Sequence, residues 1–424
     1  MRLWPDTGVF RERDFLRLWG GQAVSAIGAR ITRTALPVLA VLSIDASGLK
    51  LGVLVAAALG PSVLVSLVIG GVVDRSRKRP LLIASDLLRA AAVVSLPLAT
   101  WAGVLTMAQL YVVGAAVGIG TAVFQIADNA YLPTLLHKDL LVAGNSTIEA
   151  TEAVAEIAGP SLAGVLIQAL TAPIAVIVDA VGYVASAILL GGIRRREEPA
   201  AVEEAPSVWR DIALGFGASW RHPLVRPILL GLGACTFVSG TFAALYMKYV
   251  LSVLGLDVGT VGIVIAMGGI GSLLGAVASP RAARRLGLGP SMVLFLLVAE
   301  AASLLVPAAS GTTWLALALL FGHQLIGDGA HIAFYVQAVS LRQRVLPLEV
   351  LGRSNAAFQA VNGALMPLGA LAAGVLADAI GVRTALWIGM AGGLSAPLLL
   401  LPLWRVTEAP ACLSPGDYSA AKKR

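Results

Sequence analysis

LGVLVAAALGPSVLVSLVIGGVVDRSRKRPLLIASDLLRAAAVVSLPLATW, residues 51 to 101, reads as two long apolar runs joined by one basic turn. A helix rises about 1.5 Å per residue, so roughly 20 apolar residues cross a hydrocarbon core of ~30 Å. Each run is long enough. The turn gathers Arg75, Arg77, Lys78 and Arg79, the side chains that hydrocarbon excludes and anionic headgroups attract.

Outward from this pair the pattern repeats. Spans are expected near 16 to 43, 51 to 73, 80 to 102, 107 to 132, 142 to 170 and 172 to 193, and again near 224 to 252, 257 to 279, 288 to 309, 312 to 340, 350 to 378 and 382 to 404. Of 424 residues, 58% are apolar and 13% charged, and the mean hydropathy is +0.85, which excludes a soluble domain of this size. The net charge of +7 forms no single patch, so nucleic acid is not an expected partner.

Of the 31 Lys and Arg, Arg30, Arg33 and Arg89 lie inside spans and Lys50, Lys248 and Arg383 lie towards one side. The rest fall in the N-terminal segment, alternate turns or the tail, which predicts both termini in the cytoplasm of a cell-membrane protein. The start, MRLWPDTGVFRERD, lacks a small-residue cleavage site, so the first span is expected to stay as an anchor. Cys235 and Cys412 suggest neither a disulfide framework nor a metal site.

An offset of 210 residues maps Asn145 onto Asn355, Gly159 onto Gly369, Gly164 onto Gly374 and Val165-Leu166 onto Val375-Leu376. Span five therefore repeats as span eleven. The expected organisation is an N-terminal six-helix bundle at 1–193, a cytoplasmic linker at 194–222, a second six-helix bundle at 223–405 and a tail at 406–424. Duplication of this kind builds many secondary transporters, with the transport path between the halves. In the linker, Trp209, Ile212, Phe216 and Trp220 recur at helical spacing, which fits a helix lying in the membrane interface or one packed on the bundle.

Gly70, Asp74, Arg75, Lys78 and Arg79 stand at fixed distances in GGVVDRSRKRP, and the turn resembles the signature loop of the major facilitator superfamily. The resemblance implies that fold, an all-α integral membrane protein of twelve helices in two six-helix bundles related by a pseudo-two-fold axis. It also implies a gating role for the loop, with Asp74 latching onto span eleven. The equivalent turn after span eight has Ser279 where Asp would stand, so any latch is asymmetric.

IAGPSLAG in span five, with Gly159, Pro160 and Gly164, is similar to the Gly-Pro motif of drug:proton antiporters. FLRLWGGQAVSAIG, DNAYLPTLL, EATEAVAEIAGPSLAG and GVLADAIGVRTAL resemble the branch containing macrolide-efflux proteins and the enterobactin exporter. Gly114 departs from the pattern, because many proton-coupled drug exporters have an arginine there.

Ionisable side chains in mid-bilayer are costly without a partner or a cavity. Glu149, Glu152 and Glu156 recur three and four apart on one face of span five, and Arg30 and Arg33 share a face of span one. Their pairing would make either a structural ion-pair network or a site where Glu156 or Glu152 takes up a proton or cationic substrate. In span ten, His323, Asp328 and His331 approach the midplane, with Asp328 a second proton candidate and no metal-ligand spacing.

Asp179 and Glu300, in spans six and nine, read as structural, and Asp128 as a brace for the loop after span four. Phe237, Phe242, Tyr246, Phe334 and Tyr335 are candidate pocket residues. No phosphate loop of the Walker type is present, so a gradient is the expected energy source. One charge crossing about 150 mV yields roughly 3.5 kcal/mol, enough for a concentration ratio of a few hundred.

These features together predict a monomeric, cofactor-free transporter, not an enzyme, that exports a small amphipathic molecule as protons enter. A nutrient uptake symporter is the alternative. His323 and Asp328 also match a His-x4-Asp acyltransferase pattern, which without a surrounding soluble domain reads as coincidence.

Overall fold

The computed structural model describes residues 8–195, 197 and 208–407. Most of the acidic linker run and the tail from Glu408, Cys412 included, lie outside the described residues, as do the side chains of Asp74, Arg75 and Trp209 and the surroundings of Gly70.

Every element among the described residues is helical, and twelve helices are long and apolar enough to cross a membrane. The first half contributes α1 Arg13–Ile44, α2 Gly48–Arg75, α3 Lys78–Trp101, α4 Met107–Leu135, α5 Leu141–Leu170 and α6 Ala172–Gly191. The linker helix is α7 Val208–Arg221. The second half contributes α8 Val225–Lys248, α9 Val258–Leu286, α10 Leu288–Ser303, α11 Trp314–Val345, α12 Leu348–Ile380 and α13 Val382–Gly393. Span seven is thus α8 and span ten is α11.

The apolar runs locate all twelve helices, but α4, α9 and α11 continue past the ends read from the sequence. Hydropathy stops at the edge of the hydrocarbon, whereas the i to i−4 hydrogen bonds continue into polar sequence such as Arg284-Arg285 and Arg342. Two spans are also not α throughout: Tyr249–Val253 after α8 and His323–Asp328 within α11 are π turns.

The chain packs as two units. Unit 1 takes in the described residues of Met1–Ala46, Ala57–Ala205 and Leu256–Ala266, and unit 2 those of Ser47–Ala56, Pro206–Gly255 and Met267–Arg424. The first turns of α9 therefore belong to unit 1, and the first turns of α2 to unit 2. Phe15, Leu18, Leu82, Tyr131 and Leu190 centre the core of unit 1, and Ile228, Met292, Leu296, Phe334 and Leu400 that of unit 2.

Lipid is as apolar as leucine, so helices associate in it through close packing and polar contacts rather than hydrophobic exclusion. Small residues permit that closeness. In unit 1, a Cβ on Gly164 of α5 would stand 2.7 Å from the Cα of Gly262, and one on Gly262 would stand 3.0 Å from the Pro160 carbonyl. In unit 2, a Cβ on Gly52 of α2 would meet the Ala370 carbonyl of α12, and one on Gly374 would stand 2.9 Å from the Cα of Leu49.

The linker helix α7 packs on α12. Gly215 lies against the Arg353 carbonyl, and the buried hydroxyls of Ser219 and Ser354 meet at 2.8 Å. Phe216 and Trp220 stack on each other and remain exposed, so α7 is packed on the bundle while still presenting an apolar face.

Candidate functional site

The face expected on span five meets the face expected on span one. Arg30 donates from Nε to Glu156 at 2.5 Å and from Nη2 to Glu152 at 2.9 Å, while Arg33 donates to the other oxygen of Glu156 at 2.5 Å. Glu156 is held by two guanidinium groups. Trp19 adds a bond from its indole nitrogen to Thr151 at 2.8 Å, fixing α1 against α5 at a second point about three turns earlier in α1.

Glycine explains why these long side chains fit. A Cβ on Gly159 would collide with the stem of Arg30, so the Gly-Pro motif makes room for the arginine as well as for α9. Pro160 sits inside a continuous α5. The Glu156 side chain is 49% exposed and Arg33 58%, whereas Arg30 is 20% exposed, so the pairs are solvated on one side and packed on the other. Glu149, grouped with the other two by spacing, is exposed and forms no ion pair among the described residues.

Asp128 faces inward rather than bracing its loop, and its polar neighbours are Gln22 of α1 and Glu152 of α5. In the signature turn, Arg79 donates to the Leu190 carbonyl at 2.8 Å and to that of Gly191, which closes the end of α6 with a cation. The amides of Lys78 and Arg79 donate to Glu197, a carboxylate at the start of α3. These bonds fasten the turn to unit 1, beyond any hold on headgroups.

In unit 2, Asp328 closes the π turn of α11. Gly268 of α9 leaves room for its carboxylate, and its neighbour is Tyr246, whose hydroxyl is buried without a hydrogen-bond partner. Asp328 forms no ion pair among the described residues. Tyr246 stacks on Phe242, which in turn lies 5.3 Å from the ring of His323. His323 contacts the Ala302 carbonyl at 3.2 Å, and His331 lies 3.7 Å from the Cys235 sulfur, so the two histidines serve different neighbours. Of the aromatic candidates, Phe334 is sealed in the core, while Phe237 lines an apolar groove of about 750 Å³ with Phe216 and Trp220.

One cluster escaped the sequence reading. Asp86 and Arg89 of α3 pair with each other beside Asp179 of α6, and all three are buried. The signal was an Asp and an Arg three apart inside a span.

The comparisons with known proteins agree with this architecture. The chain is 25% identical over 388 residues to an uncharacterized MFS-type transporter of Bacillus subtilis, YfiS, covering 88% of this chain and 89% of the relative. A bacterial homologue of the iron transporter ferroportin superposes with a TM-score of 0.74 at 17% identity, over 93% of this chain and 99% of that one. The nucleoside transporter NupG superposes with a TM-score of 0.73 at 13% identity, over 92% and 99%. These structural likenesses carry the fold alone. Residues 18–364 match the family model itself, and the chain belongs to the Major Facilitator Superfamily.

Proposed function

We propose that this transporter exports small amphipathic compounds, an antibiotic, siderophore or secondary metabolite, in exchange for protons by alternating access. The observation that carries the reading is Glu156, half-exposed and held by both Arg30 and Arg33. Protonation would cancel both ion pairs and loosen α1 from α5, whereas deprotonation would restore them. Glu152 keeps one bond to Arg30, Glu149 offers a more exposed carboxylate on the same helix, and Asp328 is the proton candidate of the second half.

The antiporter-like motif of Gly159, Pro160 and Gly164 and the resemblance to the macrolide-efflux branch favour export over uptake. Gly70, Asp74, Arg75, Lys78 and Arg79 act on this reading as the gating turn. The chain works as a monomer in the cell membrane with both termini in the cytoplasm, as bundles 1–193 and 223–405 joined by the linker 194–222, with the tail 406–424.

The test uses purified protein in vesicles with a panel of lipophilic antibiotics, dyes and siderophores, each with and without an imposed pH gradient. Nucleosides and divalent metals belong in the panel because fold neighbours are named for such cargo. Glu156→Gln should cut gradient-driven export at least about tenfold, the loss of ~1.4 kcal/mol of coupling. Undiminished export by that variant, or transport indifferent to the gradient, would sink the proton reading. Accumulation in the direction of proton flow would identify an uptake symporter instead.

A further inference from the structure

Arg89 is the only cation beside Asp86 and Asp179 among the described residues. Its guanidinium bonds Asp86 and lies between the rings of Phe124 and Tyr183, 4.7 and 4.3 Å from their centroids. Its faces are covered and its charge is directed at Asp86. Asp179 is fully buried, and neither of its carboxylate oxygens has a hydrogen-bond partner; the second oxygen of Asp86 is also without one. The hydroxyls of Thr32 and Tyr183 approach Asp179, and that of Ser186 approaches Asp86, without reaching good hydrogen-bond geometry.

Two carboxylates and one guanidinium leave one negative charge uncompensated where neither water nor a second cation reaches. An ionised, unpartnered carboxylate is the costliest state such a site can adopt. We propose that Asp86, Arg89 and Asp179 form a binding site for one exchangeable proton, carried on Asp179, inside unit 1 and distinct from the pairs that join α1 to α5. Binding converts the Asp179 carboxylate and a proton into the acid, and the cluster goes from one negative charge to neutral.

Among the described residues the surroundings contribute no other charge. Facing Asp179 are Asp86 and Arg89 from α3 and Tyr183 from its own helix, with Thr32 from α1. Glu152 and Glu156 of α5, which also packs on α6, are engaged by Arg30 and Arg33 instead. Asp179, Tyr183 and Ser186 recur four and three apart, so their side chains form one stripe along α6. That stripe runs from the site in the direction of Gly191, and its two buried hydroxyls can both donate and accept. Gly28 and Gly21 of α1 flank it, and a Cβ on either would stand 2.5 Å from Asp179 Oδ1 or 2.9 Å from Ser186 Oγ, so no side chain of α1 interrupts the line there.

Infrared difference spectra of the purified full-length protein between low and high pH test this. The wild type should show the carbonyl stretch of buried carboxylic acids, lost as pH rises, and Asp179→Asn should remove one acid's share of it, leaving the share of Asp328 and other buried carboxyls. Asp86→Asn gives an independent test. With one carboxylate and one guanidinium left, the charges balance, so that same share should vanish across the same range. Arg89→Gln leaves two acids without a cation, and the cluster's share should about double. A wild-type band unchanged in Asp179→Asn or in Asp86→Asn, or an Asp179-dependent share that persists at every pH, would overturn the proposal. Because the readout is the proton itself, failure of the export reading leaves this test unaffected.

Discussion

Two helix crossings related by the 210-residue offset are built alike and fastened differently. Gly262 rests on the Pro160 carbonyl in unit 1, and Gly52 on the equivalent Ala370 carbonyl in unit 2. The backbone packing is therefore duplicated. At the start of α2, however, the Ser47 hydroxyl and the amides of Gly48 and Leu49 donate to the carboxylate of Asp378 on α12, at 2.8, 2.7 and 3.1 Å. The equivalent position on α5 is Gln168. There the start of α9 is capped by its own Asp257, which accepts from the Thr260 amide at 2.9 Å and hydroxyl at 2.6 Å. One crossing is stitched by a carboxylate from another helix, and at the other Gln168 packs on Gly259 while α9 caps itself. Duplication preserved what the backbone needs and let the polar fastening diverge.

The largest effect should come from destroying the shared part. Gly262→Val and Gly52→Val each drive a side chain into a carbonyl, and each should lower stability by about 1–3 kcal/mol, read as thermal unfolding in detergent. A marked inequality between them would break the claim of equivalent packing. Asp378→Ala comes next, at about 1–2 kcal/mol for a lost cap and helix-dipole partner. It should speed hydrogen exchange at Gly48 and Leu49 while leaving residues 258–266 unchanged.

Asp257→Ala should cost ~1 kcal/mol and act only on α9. The hydroxyl and amide of Thr260 hold the Asp257 carboxyl below the usual carboxylate range. Its contribution is therefore present above the ordinary carboxylate value and lost as pH falls through the lowered one. A stability difference between wild type and variant that widened on acidification would contradict this. Gln168→Ala should be the smallest, a few tenths of a kcal/mol, because the start of α9 is already capped. A loss as large as that of Asp378→Ala would erase the contrast.

The spans were legible because hydrocarbon selects apolar side chains over long runs. Their ends were less so, since a helix leaves the bilayer without changing its hydrogen bonding. The pairing of Arg30 and Arg33 with Glu152 and Glu156 could be read from spacing, as two charged faces of opposite sign had to meet something. Glu149 shares the spacing but lies a turn beyond the reach of either arginine, and periodicity cannot see that limit. The neighbourhood of Asp86, Arg89 and Asp179 depends on α3 lying against α6, which no local pattern encodes. Asp378 lies in GVLADAIGVRTAL, a segment singled out for its resemblance, but its work on α2 requires two helices far apart in the chain to meet.

The π turn at His323–Asp328 bears on how this span can change length. A π turn holds one more residue than the α path between the same two points. Deleting a single residue there can be absorbed by rewinding to α, with both flanking segments keeping their faces, whereas the same deletion in a regular stretch would rotate everything beyond it by about 100°. Natural variation in the length of α11 should therefore concentrate in these six residues, and a one-residue deletion would re-aim Asp328 while sparing the rest of the span.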